Sequence, residues 1–187
     1  MSKKVGLIVG SVHQPSLTRR VAHAIQPEAP NSLQFEEIAI QHLGYYDQSL
    51  ETENPPEDWT TLREAVRSSD AILFMTPEYN RSVPGVLKNA VDILSRPFGK
   101  SVLIGKPTAI VSASPGGVGG FGANQHLRTI LSALNTPQLP GPEMYIGGVN
   151  DKWFNDEGRA ANDGTREYFA KFGRSFADWI DRHADAA

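Results

Sequence analysis

Short apolar runs alternate with amphipathic helical segments along the whole chain, and this order of elements leaves few folds open. Residues 4–9, 32–38, 70–75, 107–112 and 143–146 are brief, largely apolar stretches bounded by polar or turn-forming residues, the pattern of strands. Between and after them the apolar positions change to helical spacing. Val21, Ala22 and Ile25 share a face of a helix that starts near Ser16 and stops before Pro27. Leu62, Ala65 and Val66 do so within residues 59–69, and Val86, Leu87, Ala90, Val91 and Leu94 do so after Pro84. Leu127, Ile130, Leu131 and Leu134 mark residues 125–134, and Phe169, Phe172, Phe176 and Ile180 mark residues 168–180. Strands joined in succession through helices imply a parallel α/β sheet with right-handed crossovers and helices on both faces. With five strands the natural order is 2-1-3-4-5, a doubly wound sheet whose ligand crevice opens where the first and third strands diverge.

The chain of 187 residues is long enough for one domain with a substantial core and is read as a single domain over residues 1–187. Its formal charge of −3 gives no pull towards nucleic acid or an acidic membrane surface. The absence of cysteine excludes disulfides, thiolate catalysis, cysteine-ligated zinc and iron–sulfur clusters. Two lysines precede an apolar run at the N-terminus, but residues 5–9 are too few for a signal peptide and are read as a strand. No segment approaches membrane-spanning length, and cytoplasmic residence follows as the default expectation.

Three polar loops follow the first, third and fourth strands. Ser11, His13, Ser16 and Thr18 lie between the first strand and the first helix, where unpaired N–H groups and the macrodipole favour an anion. This is neither a dinucleotide fingerprint nor a P-loop, since the glycine spacing and the lysine are missing. Two readings stand for Ser16: a phosphate donor, or simply a helix cap. Residues 76–84 are dense in turn-formers, and Pro84 suits the first turn of the helix that follows. The third loop carries Ser114, Gly116, Gly117, Gly119 and Gly120, more glycines than one turn requires and enough for close approach to a ligand. Residues 42–58 are a long polar excursion; Tyr45 and Tyr46 have two readings, packing beneath it or lining a pocket, of which packing is the expected one. The 2-1-3-4-5 order brings the three polar loops together.

These loops resemble a known family. The G-S-V-H-Q-P-S-L-T run of residues 10–18, the P-E-Y-N of residues 77–80 followed by S-V-P-G-V-L-K-N-A-V-D, and the S-A-S-P-G-G of residues 112–117 are similar to the NADPH-dependent FMN reductases, a family with quinone, azo-dye and chromate reductases. The resemblance runs from the first strand to about Val149; the last helix fits in position but carries no motif. It implies a flavodoxin-like fold and hydride transfer from NADPH to FMN, then electron transfer to a small-molecule acceptor such as a quinone. It also implies a homodimer or homotetramer, while the charge and the segment lengths already argue for no nucleic-acid or membrane partner. It places Ser11, His13, Ser16, Leu17 and Thr18 around the FMN 5′-phosphate, Pro77, Glu78, Tyr79, Asn80 and Arg81 along one edge of the ring, and Ser114, Gly116 and Gly117 against the ring from the third loop. The family usually has arginine where this chain has His13, which leaves less fixed positive charge here.

In such an enzyme the cofactor carries the chemistry, so no general acid or base is expected. Glu78 is expected to fix its loop by hydrogen bonding, Lys88, Asn89 and Asp92 to serve structure or a subunit contact, and His126 to be structural. Two other classes share the fold. A flavodoxin-type electron carrier binds FMN without oxidising NADPH, but such carriers are strongly acidic. A phospho-receiver needs an acidic cluster at the strand ends, where this chain has Gly10-Ser11 and Thr76-Pro77.

Overall fold

The computed structural model describes residues 2–183. Its five strands are β1 (Lys3–Val9), β2 (Leu33–Glu37), β3 (Ala71–Thr76), β4 (Thr108–Ala113) and β5 (Met144–Ile146). The helices are α1 (Leu17–Ile25), α2 (Glu57–Arg67), α3 (Gly85–Leu94), α4 (Phe121–Ala133) and α5 (Asp163–His183). All neighbouring strands are parallel in the order β2-β1-β3-β4-β5, as the alternation of elements implied.

Side chains alternate across a strand, so each central strand feeds two cores. Leu7, Val9, Leu73, Met75 and Val111 face one side, where Val21, Ala22 and Ile25 of α1 and the Phe169, Phe172, Phe176 and Ile180 stripe of α5 cover them. Ile8, Ile72, Phe74 and Ile110 face the other, beneath Trp59, Leu62 and Val66 of α2, Leu87, Val91 and Leu94 of α3, and Leu127 and Leu131 of α4. The central strands β3 and β4 are buried along their whole lengths, which is why β3 reads as an almost continuous apolar run and β4 carries only apolar or small hydroxyl residues.

Several boundaries differ from the sequence reading. Helix α2 starts at Glu57 rather than Trp59, with Pro56 at its N-cap and the acids Glu57 and Asp58 in its first turn, where the dipole favours them. Helix α5 exceeds residues 168–180 at both ends, and Asn162 Oδ1 accepts the Thr165 N–H at 2.8 Å at its start. Helix α4 begins at Phe121, four residues before Gln125, because its first turn is held from elsewhere in the chain. Pro84 is the N-cap of α3 rather than a residue of its first turn.

The excursion is tied to α3 and α2. Asn89 Oδ1 accepts the Tyr46 N–H at 2.8 Å, and Asn89 Nδ2 donates to Gly44 O at 3.0 Å. The buried Arg63 donates to Ile93 O and to Glu51, so the cation satisfies the end of α3 and the excursion together. Tyr46 stacks on Trp59 as expected, but Tyr45 is 87% exposed and packs beneath nothing. The aromatic stripe of α5 anchors one entire layer. Phe176→Ala should therefore lower unfolding free energy by about 3–5 kcal/mol in urea titration, with a native-like circular dichroism spectrum before the transition.

Candidate functional site

Strand pairing sets three loops side by side. Val9 lies opposite Met75 and Thr76 opposite Ser112, so the chain leaves β1, β3 and β4 at one common edge. The Gly10 N–H still donates to Met75 O at 2.8 Å, and a Cβ on Gly10 would come within 2.9 Å of Leu87 in α3. The start of the first loop is thus wedged against the helix that follows the second.

In the first loop the Ser11, Ser16 and Thr18 side chains are buried, while His13 is exposed. Ser16 is the N-cap of α1, its Oγ accepting the Arg19 N–H at 3.1 Å. The N–H groups of Leu17 and Thr18 precede the helix's own hydrogen-bonding ladder and are available to a ligand. The Arg19 guanidinium lies under this loop, within 3.4 Å of Ser11 O and bonded to Glu37 at 3.0 Å. Arg19 escaped the sequence reading; its signal was a basic pair, Arg19-Arg20, directly after three hydroxyls.

The second loop is a two-residue hairpin. Tyr79 and Ser82 exchange both backbone hydrogen bonds at 3.0 Å, with Asn80 at φ 50° and Arg81 at φ 65° between them. Two left-handed central residues mark a type I′ turn. Glu78 is the pillar of this loop. One carboxylate oxygen accepts the Ala123 N–H at 3.1 Å, and the other meets Arg81 at 3.2 Å. It serves the first turn of α4, whose own N-cap, Gly120, offers no side chain. This explains the early start of α4 and bears out the scaffolding role expected of Glu78. His126 lies on the exposed side of α4 with Nδ1 3.0 Å from the Ser82 hydroxyl.

The glycines of the third loop divide into two pairs. Gly119 and Gly120 have φ of 68° and 74°, and a Cβ on Gly119 would meet Tyr145 carbonyl carbon at 2.6 Å, so these two satisfy backbone geometry. A Cβ on Gly117 would meet nothing within 4 Å, and one on Gly116 only Ser114 Oγ, so these two border open space. Beneath the loop the buried Ser112 hydroxyl donates to Gly119 O at 2.7 Å and is within 3.3 Å of Asn124 Nδ2. Ser114 Oγ accepts the Gly116 N–H at 3.1 Å. Beside the loop, burial raises the pKa of the Tyr145 hydroxyl, reinforced by its hydrogen bond to Glu143.

One apolar side chain stands about half exposed on each loop: Val12 at 50%, Tyr79 at 47% and Val118 at 58%. Neither Val12 nor Val118 was singled out from sequence. The edge therefore carries three hydroxyl residues and the first N–H groups of α1 at one end, with half-exposed apolar side chains and open glycines beside them. A cavity of about 560 Å³ at the opposite edge of the sheet, lined by Lys3, Arg67, Lys106 and Ile180 among others, touches none of these loops.

The sequence matches the NADPH-dependent FMN reductase family over residues 3–151. The chain belongs to that family. It is similar to a quinone reductase of Pseudomonas putida, 48% identical over 176 residues that cover 94% of each chain. It is also similar to a 2-hydroxy-1,4-benzoquinone reductase of a Burkholderia species, 37% identical over 180 residues covering 96% of this chain and 97% of the relative. Among solved structures it resembles FerB, a flavoenzyme NAD(P)H:(acceptor) oxidoreductase from Paracoccus denitrificans, with a TM-score of 0.91 and 34% identity across 97% of this chain and 98% of that one. Family membership makes this protein an oxidoreductase that uses FMN, with NAD(P)H as electron donor.

The contact between the second loop and α4 is close enough to test. A Cβ on Gly122 would lie 2.8 Å from Arg81 O and 2.9 Å from Glu78 Oε2. Gly122→Ala should lower stability by about 1–3 kcal/mol, despite alanine's better helix propensity, because backbone must shift to admit the methyl group. Thermal unfolding of the two proteins measures the difference.

Proposed function

We propose that this protein reduces quinones and related small acceptors (azo dyes, chromate, free flavin) at the expense of NADPH, with FMN held at the junction of the three loops. The observation that carries the reading is the joining, at one sheet edge, of a buried-hydroxyl cradle with an apolar platform bordered by glycine. The residues fit the cofactor. Ser11, Ser16 and Thr18, with the Leu17 and Thr18 N–H groups, offer donors for a phosphate at a helix N-terminus. The open space beside Gly116 and Gly117 leaves room for a planar ring.

On this reading Ser11, His13, Ser16, Leu17 and Thr18 hold the phosphate. The Arg19 cation, close under the loop, supplies part of the positive charge that His13 does not fix. Pro77, Glu78, Tyr79, Asn80 and Arg81 border one edge of the ring, with Glu78 acting through its hold on the loop. Ser114, Gly116 and Gly117 border another. Bound there, FMN would supply the redox chemistry between NADPH and the acceptor. The protein's own part is to orient the ring on a rigid sheet edge and to present an apolar surface on which flat acceptors can lie.

A homodimer or homotetramer belongs to the same proposal. Between α3 and α4 lies an open groove of about 430 Å³, lined by Val83, Ile130, Lys88, His126 and Thr129, which a second copy would cover. Among the described residues no helix is long and apolar enough to cross a membrane. The same proposal takes the cytoplasm as the place of action, in keeping with the use of NAD(P)H.

The purified protein should show flavin absorption that heating releases, and NADPH should bleach it in air-free buffer. A protein that neither carries nor takes up FMN would overturn the reading; flavin that NADPH leaves oxidised would favour a flavodoxin-type carrier. Ser16→Ala should weaken FMN retention by about 1 kcal/mol, the worth of one hydrogen bond, in fluorescence titration of apoprotein. It should also lower protein stability by about 1 kcal/mol through loss of the α1 cap.

A further inference from the structure

The turn at Asn80-Arg81 is built against the preference of one of its residues. Both central positions of a type I′ turn need positive φ, and Asn-Gly is the pair best suited to them. Asn80 fits. Arg81, at φ 65°, holds a conformation that side chains with a Cβ adopt reluctantly. Its guanidinium is not used for packing, for the side chain is 77% exposed. The carboxylate paired with it among the described residues, Glu78, is already engaged with the Ala123 N–H. A cation is thus kept at a strained position on the loop that borders the proposed acceptor platform, next to the exposed Tyr79.

We propose that Arg81 is a specificity-determining residue that favours anionic acceptors, and that Glu78 sets the strength of this preference by partly neutralising it. The proposal rests on the placing of the acceptor beside the second loop. Arg81 acts as an exposed charge near the platform, so its influence is modest and falls as salt shortens the range of electrostatic interaction. Glu78→Gln keeps an oxygen for the Ala123 N–H while removing the negative charge, which frees Arg81 without undoing the loop.

The test compares holoenzymes with a naphthoquinone sulfonate and with its neutral parent quinone, reading the ratio of the two kcat/KM values. Arg81→Gly should lower the ratio for the anionic quinone by about two- to fivefold, and Glu78→Gln should raise it by a similar factor, both effects fading at high salt. Arg81→Lys should keep the ratio, since the charge remains. Arg81→Gly should at the same time raise Tm by about 2–4 °C, because glycine relieves the strained φ. An unchanged ratio in Arg81→Gly overturns the specificity role; an unchanged or lowered Tm overturns the claim that the residue is held against its preference. Failure of the flavin reading is separately visible, as a wild-type protein without flavin or quinone turnover, and the Tm comparison stands apart from it.

Discussion

The placing of β3 between β1 and β4, in a register that ends all three strands at one edge, is the constraint on which the rest of the structure depends. It gives three loops a common origin, so that short segments far apart in sequence share one surface. Register is held by the two-sided core. A slip of one residue would turn Leu73 and Met75 to the side now filled by Ile72 and Phe74, setting every side chain of β3 against the wrong layer. A site built on such an edge inherits its rigidity from apolar packing, and its loops need few residues of their own to stay in place.

Those few residues form a chain of polar contacts that crosses from loop to loop. Glu78 links the second loop to α4, Asn124 in α4 lies on the Ser112 hydroxyl, and Ser112 holds the third loop through Gly119 O. Ser112 and Asn124 are fully buried, so their partners matter more for what their loss would leave unsatisfied than for any net gain. The glycines belong to the same construction. Gly122 lets Arg81 and Glu78 approach α4, and Gly119 and Gly120 allow the chain to turn under the third loop. Buried polar groups and absent side chains thus do together what a longer loop could not.

Much of this was legible from sequence, and the parts that were not share a cause. Continuous apolar runs such as residues 71–75 and the Phe169, Phe172, Phe176, Ile180 stripe report burial directly, so strands, helix faces and sheet order could be read from them. The N-cap of α1 was readable too, because Ser16 acts on its own helix. The start of α4 was not: its first turn is satisfied by Glu78, 45 positions away, and nothing near Gly120 announces it. The positions of Arg19 beneath Ser11 and of Val12 and Val118 on the open edge likewise depend on neighbours that meet only in the folded chain. Tyr45 failed for the converse reason, since an aromatic residue in a polar excursion signals burial only if something lies beneath it.

The distribution of charge bears on the kind of flavoprotein this is. An electron carrier that must be recognised by other proteins gains from a strong field of one sign around its exposed cofactor edge, because such a field steers encounter. Here Arg19 is matched by Glu37 and Arg20 by Asp151, and Arg81 is partly offset by Glu78, so the loops and their flanks carry no strong field of one sign. The apolar residues Val12, Tyr79 and Val118 stand among these pairs. A partly apolar edge without such a field suits small flat molecules that arrive by diffusion and are held by contact area. That surface accords with an enzyme that trades one small substrate for another over bound FMN, which is the activity that the family and its quinone-reducing relatives share.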